Sequence, residues 1–175
     1  MGKCLCLAFT LLFLYGCTSS VKEQKGILTY FDLKGYFEKE AARLKRNKPV
    51  LTKTVMVNGA AETKKISIAD WPKELAVFSD ADINRSAWAG LFSVEKDSQK
   101  ELYTSANEKV PVKEVRILKK DNKLYGIQIF VKNANVLYSS SDTLSYYPDS
   151  LYQVKKKQHI KLLTEKNYSI TGKFK

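Results

Sequence analysis

Two kinds of hydrophobic periodicity divide most of this chain. Over residues 30–46 the apolar side chains recur with the 3.6-residue period of an amphipathic helix. They are Leu33, Tyr36, Phe37, Ala41 and Leu44. Thr29 is the predicted N-cap, and Asn47 and Pro49 are expected to stop the helix. From residue 50 onward the pattern is mainly the alternation of strands.

The predicted strands are short, and no crossover helix separates those of the C-terminal half. They cover residues 50–57, 62–68, 87–95, 102–105, 112–118, 124–131, 136–139, 143–147 and 168–174, and residues 151–163 add one or two more. Asn58-Gly59 and Asp121-Asn122 are turn signals, although we expect more than two residues between the first two strands. Asp70-Trp71-Pro72 predicts a short helical turn.

These elements together predict an α+β fold. Consecutive strands without crossover helices favour an antiparallel meander of roughly seven to nine strands, and a sheet of that size tends to curl. We expect the N-terminal amphipathic helix to pack on its concave or open side. This order of elements is similar to the half-barrel of periplasmic lipoprotein carriers and outer-membrane lipoprotein receptors, in which a curved sheet closed by helices holds acyl chains. The similarity is one of element order alone.

The first 17 residues have the composition of an export signal. Lys3 provides a positive start, and the apolar run over residues 4–15 is too short to span a bilayer comfortably. Leu14-Tyr15-Gly16-Cys17 resembles the bacterial lipobox, in which a small residue precedes the cysteine that becomes the lipidated N-terminus; Tyr15 is bulkier than usual at its position. The alternatives are an ordinary signal peptide or an uncleaved anchor, but residues 18–26 turn polar at once.

The lipobox resemblance implies an organisation and a location. It implies a signal peptide at 1–16, a lipidated tether at 17–26 with Cys17 as the acylated residue, and a single α+β domain at 27–175. Thr18, instead of Asp, after the cysteine resembles lipoproteins sorted to the outer membrane of Gram-negative bacteria. No acidic run for surface export follows. We therefore expect a lipoprotein of the cell envelope that carries palmitate, is anchored in the outer membrane and faces the periplasm.

Net charge and cysteine usage limit the reactions, metal sites and partners that the domain can have. Cys4 and Cys6 would leave with the signal and Cys17 would carry lipid, which excludes thiol catalysis and cysteine-ligated metal in the domain. Lys3 is the one charge in the signal, so its removal lowers the formal net charge from +12 to +11. Such a charge suits anionic lipid or another acidic envelope polymer as a partner, whereas the scattering of the lysines favours a merely soluble surface. The export signal disfavours nucleic acid as a partner.

Catalytic and metal-binding patterns are weak throughout. His159 is the only histidine, lacks a Gly-x-Ser-x-Gly elbow to support a triad and is expected on the surface. No paired His or Cys spacing indicates zinc. Asp80, Asp82 and Asn84 resemble the start of a calcium loop, but Arg85 stands where glycine is needed, so a polar turn is the better interpretation.

Two further patterns remain ambiguous. Six tyrosines lie in or beside predicted strands: Tyr125, Tyr138, Tyr146, Tyr147, Tyr152 and Tyr168. They could line a cleft for a lipid or glycan. The commoner explanation is that tyrosine is simply a favourable strand residue. Asp142-Thr143-Leu144 and Asp149-Ser150-Leu151 match a short O-glycosylation signal of Bacteroidetes, which arises often by chance, and both are expected near turns. Glu38 and Glu40 lie about 200° apart on the helix and cannot form a carboxylate pair.

The leading hypothesis is a non-enzymatic binding or scaffolding lipoprotein without a cofactor. Its alternative is a carrier that holds a lipid or other apolar ligand in a cleft between helix and curved sheet. An envelope hydrolase ranks last, because no nucleophile, base or metal set is visible.

Overall fold

The computed structural model describes residues 28–175. The predicted signal peptide at 1–16, the tether at 17–26 and the proposed acylation site Cys17 lie outside these residues. Within them, no helix is both long and apolar enough to cross a membrane.

Nine antiparallel strands form one sheet that does not close into a barrel. The strands are β1 Val50–Val57, β2 Ala60–Ser67, β3 Ser93–Lys96, β4 Lys100–Thr104, β5 Val112–Lys120, β6 Lys123–Ala134, β7 Tyr138–Tyr147, β8 Leu151–Ile160 and β9 Lys166–Phe174. Their order is β2-β1-β9-β8-β7-β6-β5-β4-β3, so β3 to β9 form a meander and the first strand pairs with the last. The predicted α+β class, with an antiparallel sheet and a helix packed on it, is confirmed.

The main helix, α1, spans Leu33–Asn47 and begins later than predicted. Its N-cap is Asp32, whose carboxylate accepts a hydrogen bond from the Gly35 amide at 2.8 Å. The prediction of Thr29 as N-cap is therefore wrong, because the helix begins at Leu33 and the Asp32 side chain reaches a free amide of its first turn. A Cβ at residue 35 would overlap the Asp32 carboxylate, which explains a glycine in the first turn.

The connection between β1 and β2 is shorter than predicted. Asn58 and Gly59 alone link the strands, with φ of 48° and 92°, as a two-residue hairpin turn of the primed type requires. The strand predicted at 62–68 therefore begins at Ala60. Asp121 and Asn122 form a second two-residue turn at positive φ, as their sequence indicated.

The strand predicted at 87–95 is largely wrong. Residues Ser86–Trp88 form a single turn of 3-10 helix, and only Ser93–Lys96 enter the sheet as β3. Gly90 has a φ of 74° that breaks the extended backbone, and the Arg85 guanidinium lies 4.8 Å from the Trp88 ring centroid. A conformation held by glycine and by a cation–π contact does not show in a hydrophobic alternation.

Three helices cover part of one face of the sheet. The two short ones are α2, Trp71–Glu74, and α3, Ala76–Ser79. Four of the five residues in the predicted apolar stripe of α1 are buried, namely Leu33, Phe37, Ala41 and Leu44. Phe37 stacks on Phe78 of α3 with ring centroids 4.9 Å apart and meets Tyr146 of β7 edge-on at 5.3 Å. An aromatic layer thus joins α1, α3 and the middle of the sheet.

Candidate functional site

A cleft opens between the short helices and the sheet. It has a volume of about 510 Å³ and lies beside α2 and α3, over β1, β8 and β9. Its apolar lining comes from Val154 and Ile170 on the sheet, Ile68 before α2 and Val77 on α3. A concave, mostly apolar space of this size is typical of a small-molecule site, so it is the candidate site in the described part of the chain.

The polar end of this cleft is formed by Lys53, Glu74 and Tyr152. The Lys53 ammonium lies 2.6 Å from the Glu74 carboxylate, and the Tyr152 hydroxyl donates to the same carboxylate oxygen. Burial, the hydrogen bond to Glu74 and the charge of that carboxylate raise the pKa of Tyr152 well above its usual value. Tyr152 therefore remains a neutral donor. The three groups satisfy one another, so they orient α2 on the sheet more readily than they would activate a substrate.

The same arrangement of tyrosine, glutamate and cation also fastens α1 to the sheet. The Glu40 carboxylate accepts from Arg43 at 2.6 and 2.8 Å and from the Tyr146 hydroxyl of β7. Arg43 also reaches Asp149 at 2.8 Å, in the turn that follows β7. Burial, the hydrogen bond to Glu40 and the carboxylate charge raise the pKa of Tyr146. Glu38 is exposed on another side of α1, so the prediction that it does not pair with Glu40 is confirmed.

A third carboxylate is held in this way on β4. Glu101 accepts from the Tyr103 hydroxyl and lies 2.5 Å from Lys119 and 3.2 Å from Lys96. Burial alone would raise its pKa, but the hydrogen bonds from Lys119, Tyr103 and Lys96 outweigh burial and lower the pKa from 4.5 to about 2. Glu101 thus joins three strands of the sheet as a carboxylate.

This lowered pKa predicts a pH dependence of stability. A carboxylate with a lowered pKa stabilises the fold above its unfolded pKa of 4.5, and its contribution is lost as the pH falls toward about 2. Glu101→Gln should reduce the free energy of unfolding at neutral pH, and its deficit relative to the wild type should shrink between pH 4.5 and 2. Urea unfolding across this range measures it, with Glu95→Gln on exposed β3 as control. Parallel curves for wild type and Glu101→Gln would contradict the assignment.

The other residues singled out from the sequence do not converge on the cleft. His159 is exposed on β8, as predicted. Asp82 accepts from the Asn84 amide at 3.0 Å, and the Asn84 side chain holds Tyr30 and Phe31, so this stretch is the expected polar turn. Among residues 28–175, no group of three or more His, Cys, Asp or Glu is placed to hold a metal ion.

The two candidate glycosylation signals differ in position. Ser150 is exposed in the turn between β7 and β8. Thr143 is exposed in the middle of β7 and not near a turn, which corrects the sequence-based expectation. Asp142 beside it is buried and paired with Lys156 at 3.0 Å.

The tyrosines have mixed roles. Tyr146 and Tyr152 are buried, and Tyr152 also lines the cleft. Tyr138 and Tyr147 accept hydrogen bonds from Gln158 and Gln128, at 2.9 and 2.8 Å, from neighbouring strands. Most of them therefore act as strand residues with satisfied hydroxyls, the commoner case for tyrosine in a sheet.

Sequence reasoning missed the pairing of each tyrosine with its glutamate. Tyr146 is 106 residues from Glu40 and Tyr152 is 78 residues from Glu74, so no local spacing could reveal either contact. Comparisons with family models, with curated proteins and with solved structures give no match to this chain.

Proposed function

We propose that this chain is a cell-envelope lipoprotein of non-enzymatic binding or scaffolding type, anchored through an acylated Cys17. The observation that carries the proposal is the apolar run over residues 4–15, which ends in Gly16-Cys17 and gives way at once to a polar tether. Thr18 supports the outer membrane as its location, with the domain facing the periplasm.

The arrangement of partly buried carboxylates supports a structural role for the domain. Glu40, Glu74 and Glu101 each contact a cation and a tyrosine hydroxyl, and each of these sets of contacts joins two or more elements of the fold. These contacts hold helices and strands together, as a binding or scaffolding domain requires.

The acylation site is tested by Cys17→Ser. Thioether formation needs the thiol of Cys17, so the variant should lose labelled palmitate and either leave the membrane fraction or accumulate as an uncleaved precursor. Cys6→Ser, which changes a cysteine inside the apolar run, is the matched control and should keep its label. Equal palmitate label in Cys17→Ser and wild type would remove the lipoprotein proposal.

A second candidate function, the carrier of an apolar ligand, is favoured by the cleft beside α2 and α3. Its volume of about 510 Å³ and its lining by Val154, Ile170 and Val77 suit a small apolar molecule or part of an acyl chain. The apolar stripe of α1 supports the scaffold instead, because it is buried against the core and does not line this cleft.

Native mass spectrometry of the unlipidated domain, purified from its host, separates these two functions. A bare mass supports the scaffold. A co-purifying lipid that disappears in Val154→Trp, which fills the cleft, supports the carrier. Val94→Trp, at an exposed position on β3, is the control that should leave any bound lipid in place.

A further inference from the structure

One end of the sheet carries an exposed cluster of large apolar side chains. The loops β6–β7 and β8–β9 present Val136, Leu137, Leu162 and Leu163, and Ile160 ends β8 beside them; together we name these five residues the apolar tip. Leu162 is 96% exposed and Val136 is 87% exposed, and Leu137 and Leu163 are more than half exposed. Single exposed apolar residues are ordinary, but a cluster of five indicates a surface that something covers.

The backbone holds these side chains outward. The Asn135 side chain accepts from the amides of Leu137 and Tyr138, at 2.9 and 2.8 Å, which closes the first loop. The Lys161 amide donates to the Leu137 carbonyl at 2.9 Å and joins the two loops. Leu162 has a φ of 69°, a left-handed conformation that is uncommon for leucine. The tip is therefore a built feature of the fold.

The β6–β7 and β8–β9 hairpins also extend further than the neighbouring β1–β2 hairpin. The turn between β1 and β2 ends beside Asn167, which exchanges hydrogen bonds of 2.9 Å with Asn58. Beyond this level β8 still pairs Gln158 with Lys166 and Ile160 with Tyr138. The apolar tip thus projects past the β1–β2 turn, where a flat surface can reach it first.

Lysines surround the apolar tip. Lys132, Lys161 and Lys166 lie near the ends of the two hairpins, and no carboxylate forms a salt bridge with them within residues 28–175. The two acidic residues of these hairpins are already paired, Asp142 with Lys156 and Glu165 with Lys157.

The turns at the opposite end of the sheet are polar and contain Asp97, Asp121 and Asp149. Lys100, Lys120 and Lys123 lie beside these aspartates, so the opposite end carries charges of both signs. The two ends therefore differ chiefly in their apolar side chains, which only the apolar tip offers to a bilayer.

We propose that the apolar tip inserts into the interfacial layer of an anionic bilayer, with the surrounding lysines at the level of the headgroups. Apolar side chains flanked by lysines are the composition of segments that lie in this layer. The inference rests on the proposed lipid anchor, which would keep the domain beside a membrane. Residues 17–26 would allow a reach of about 35 Å when fully extended, which is compatible with a second contact.

Tryptophan reporters at the two ends of the sheet test this orientation. The full chain is reconstituted in vesicles of phosphatidylcholine and phosphatidylglycerol that contain brominated acyl chains, which quench indole on contact. Leu162→Trp should lose about half of its added emission or more, since its side chain would lie among the acyl chains. Tyr125→Trp, exposed at the opposite end, should keep its emission. Both positions are exposed, so neither change touches the core.

The outcomes separate this inference from the anchor itself. Quenching reports the depth of residue 162 whatever tethers the chain, whereas the palmitate label reports Cys17 alone. Equal quenching of both reporters, or none at residue 162, overturns the inference. A blue shift at residue 162 without quenching would show that a protein covers the tip, and it also overturns the inference. Weaker quenching with phosphatidylcholine alone or at high salt is expected, because ions screen the lysines.

Discussion

Phe37→Ala is expected to lower the free energy of unfolding by about 3–5 kcal/mol, the usual loss for a buried phenylalanine. Phe37 is fully buried, and its ring lies between Phe78 of α3 and Tyr146 of β7. Its removal leaves a cavity where α1, α3 and the sheet meet, and three elements cannot all move to fill it. Denaturant and thermal unfolding of the ligand-free protein measure the loss.

This experiment also reports whether α1 is packed permanently on the core. The matched control is Phe130→Ala, because Phe130 lies on β6 with 37% of its surface exposed and should cost much less. An unchanged melt in Phe37→Ala would contradict the permanent packing of α1 on the core. A large drop supports the packed helix that a scaffold requires, and native mass spectrometry decides separately whether the cleft beside α2 and α3 holds a ligand.

The second large effect is expected at Gly172. A methyl group at residue 172 would overlap the ring of Tyr152 from the neighbouring strand. Tyr152 cannot move aside easily, because its ring is buried and its hydroxyl is bound to Glu74. Gly172→Ala should therefore destabilise the protein by about 1–3 kcal/mol, the range for overpacking a core.

Gly126 provides a matched comparison on the opposite face of the sheet. A methyl group there would lie 2.7 Å from the ring of Tyr147, which is only half-buried and can shift toward solvent by giving up one neutral hydrogen bond from Gln128. Gly126→Ala should be close to neutral or gain about 0.4–1 kcal/mol from reduced freedom of the unfolded chain. Urea unfolding of both variants measures the difference. Equal costs would show that the Tyr152 contact with Glu74 does not hold the ring in place.

Local patterns predicted most of the elements because their causes are local. The apolar stripe of α1 depends on which face of one helix is buried, whereas the β-branched residues of Val50–Val57 favour a strand by themselves. The segment after Ser86 was mispredicted because Gly90 and the contact of Arg85 with Trp88 override an apolar pattern. Residues 136–147 were divided into two predicted strands, although β7 runs without a break from Tyr138 to Tyr147.

The candidate site was far less predictable than the fold. The cleft residues Lys53, Glu74 and Tyr152 come from three distant segments, and only the pairing of β1 with β9 brings the first strand beside the C-terminal strands. The sequence did show that tyrosines are abundant in the strands. It did not show which of them meet a glutamate.

The sequence by itself determined the α+β class, the buried stripe of α1, the turns at Asn58-Gly59 and Asp121-Asn122, and the resemblance of residues 14–17 to a lipobox. Periodicity, turn chemistry and short motifs depend on neighbours along the chain, so they can be read without a fold. Only the tertiary structure decided which residues distant in the sequence come into contact. Pairing β1 with β9 brought the walls of the cleft together, and packing α1 and α2 on the sheet made the contacts of Tyr146 with Glu40 and of Tyr152 with Glu74. The extended β6–β7 and β8–β9 hairpins created the apolar tip.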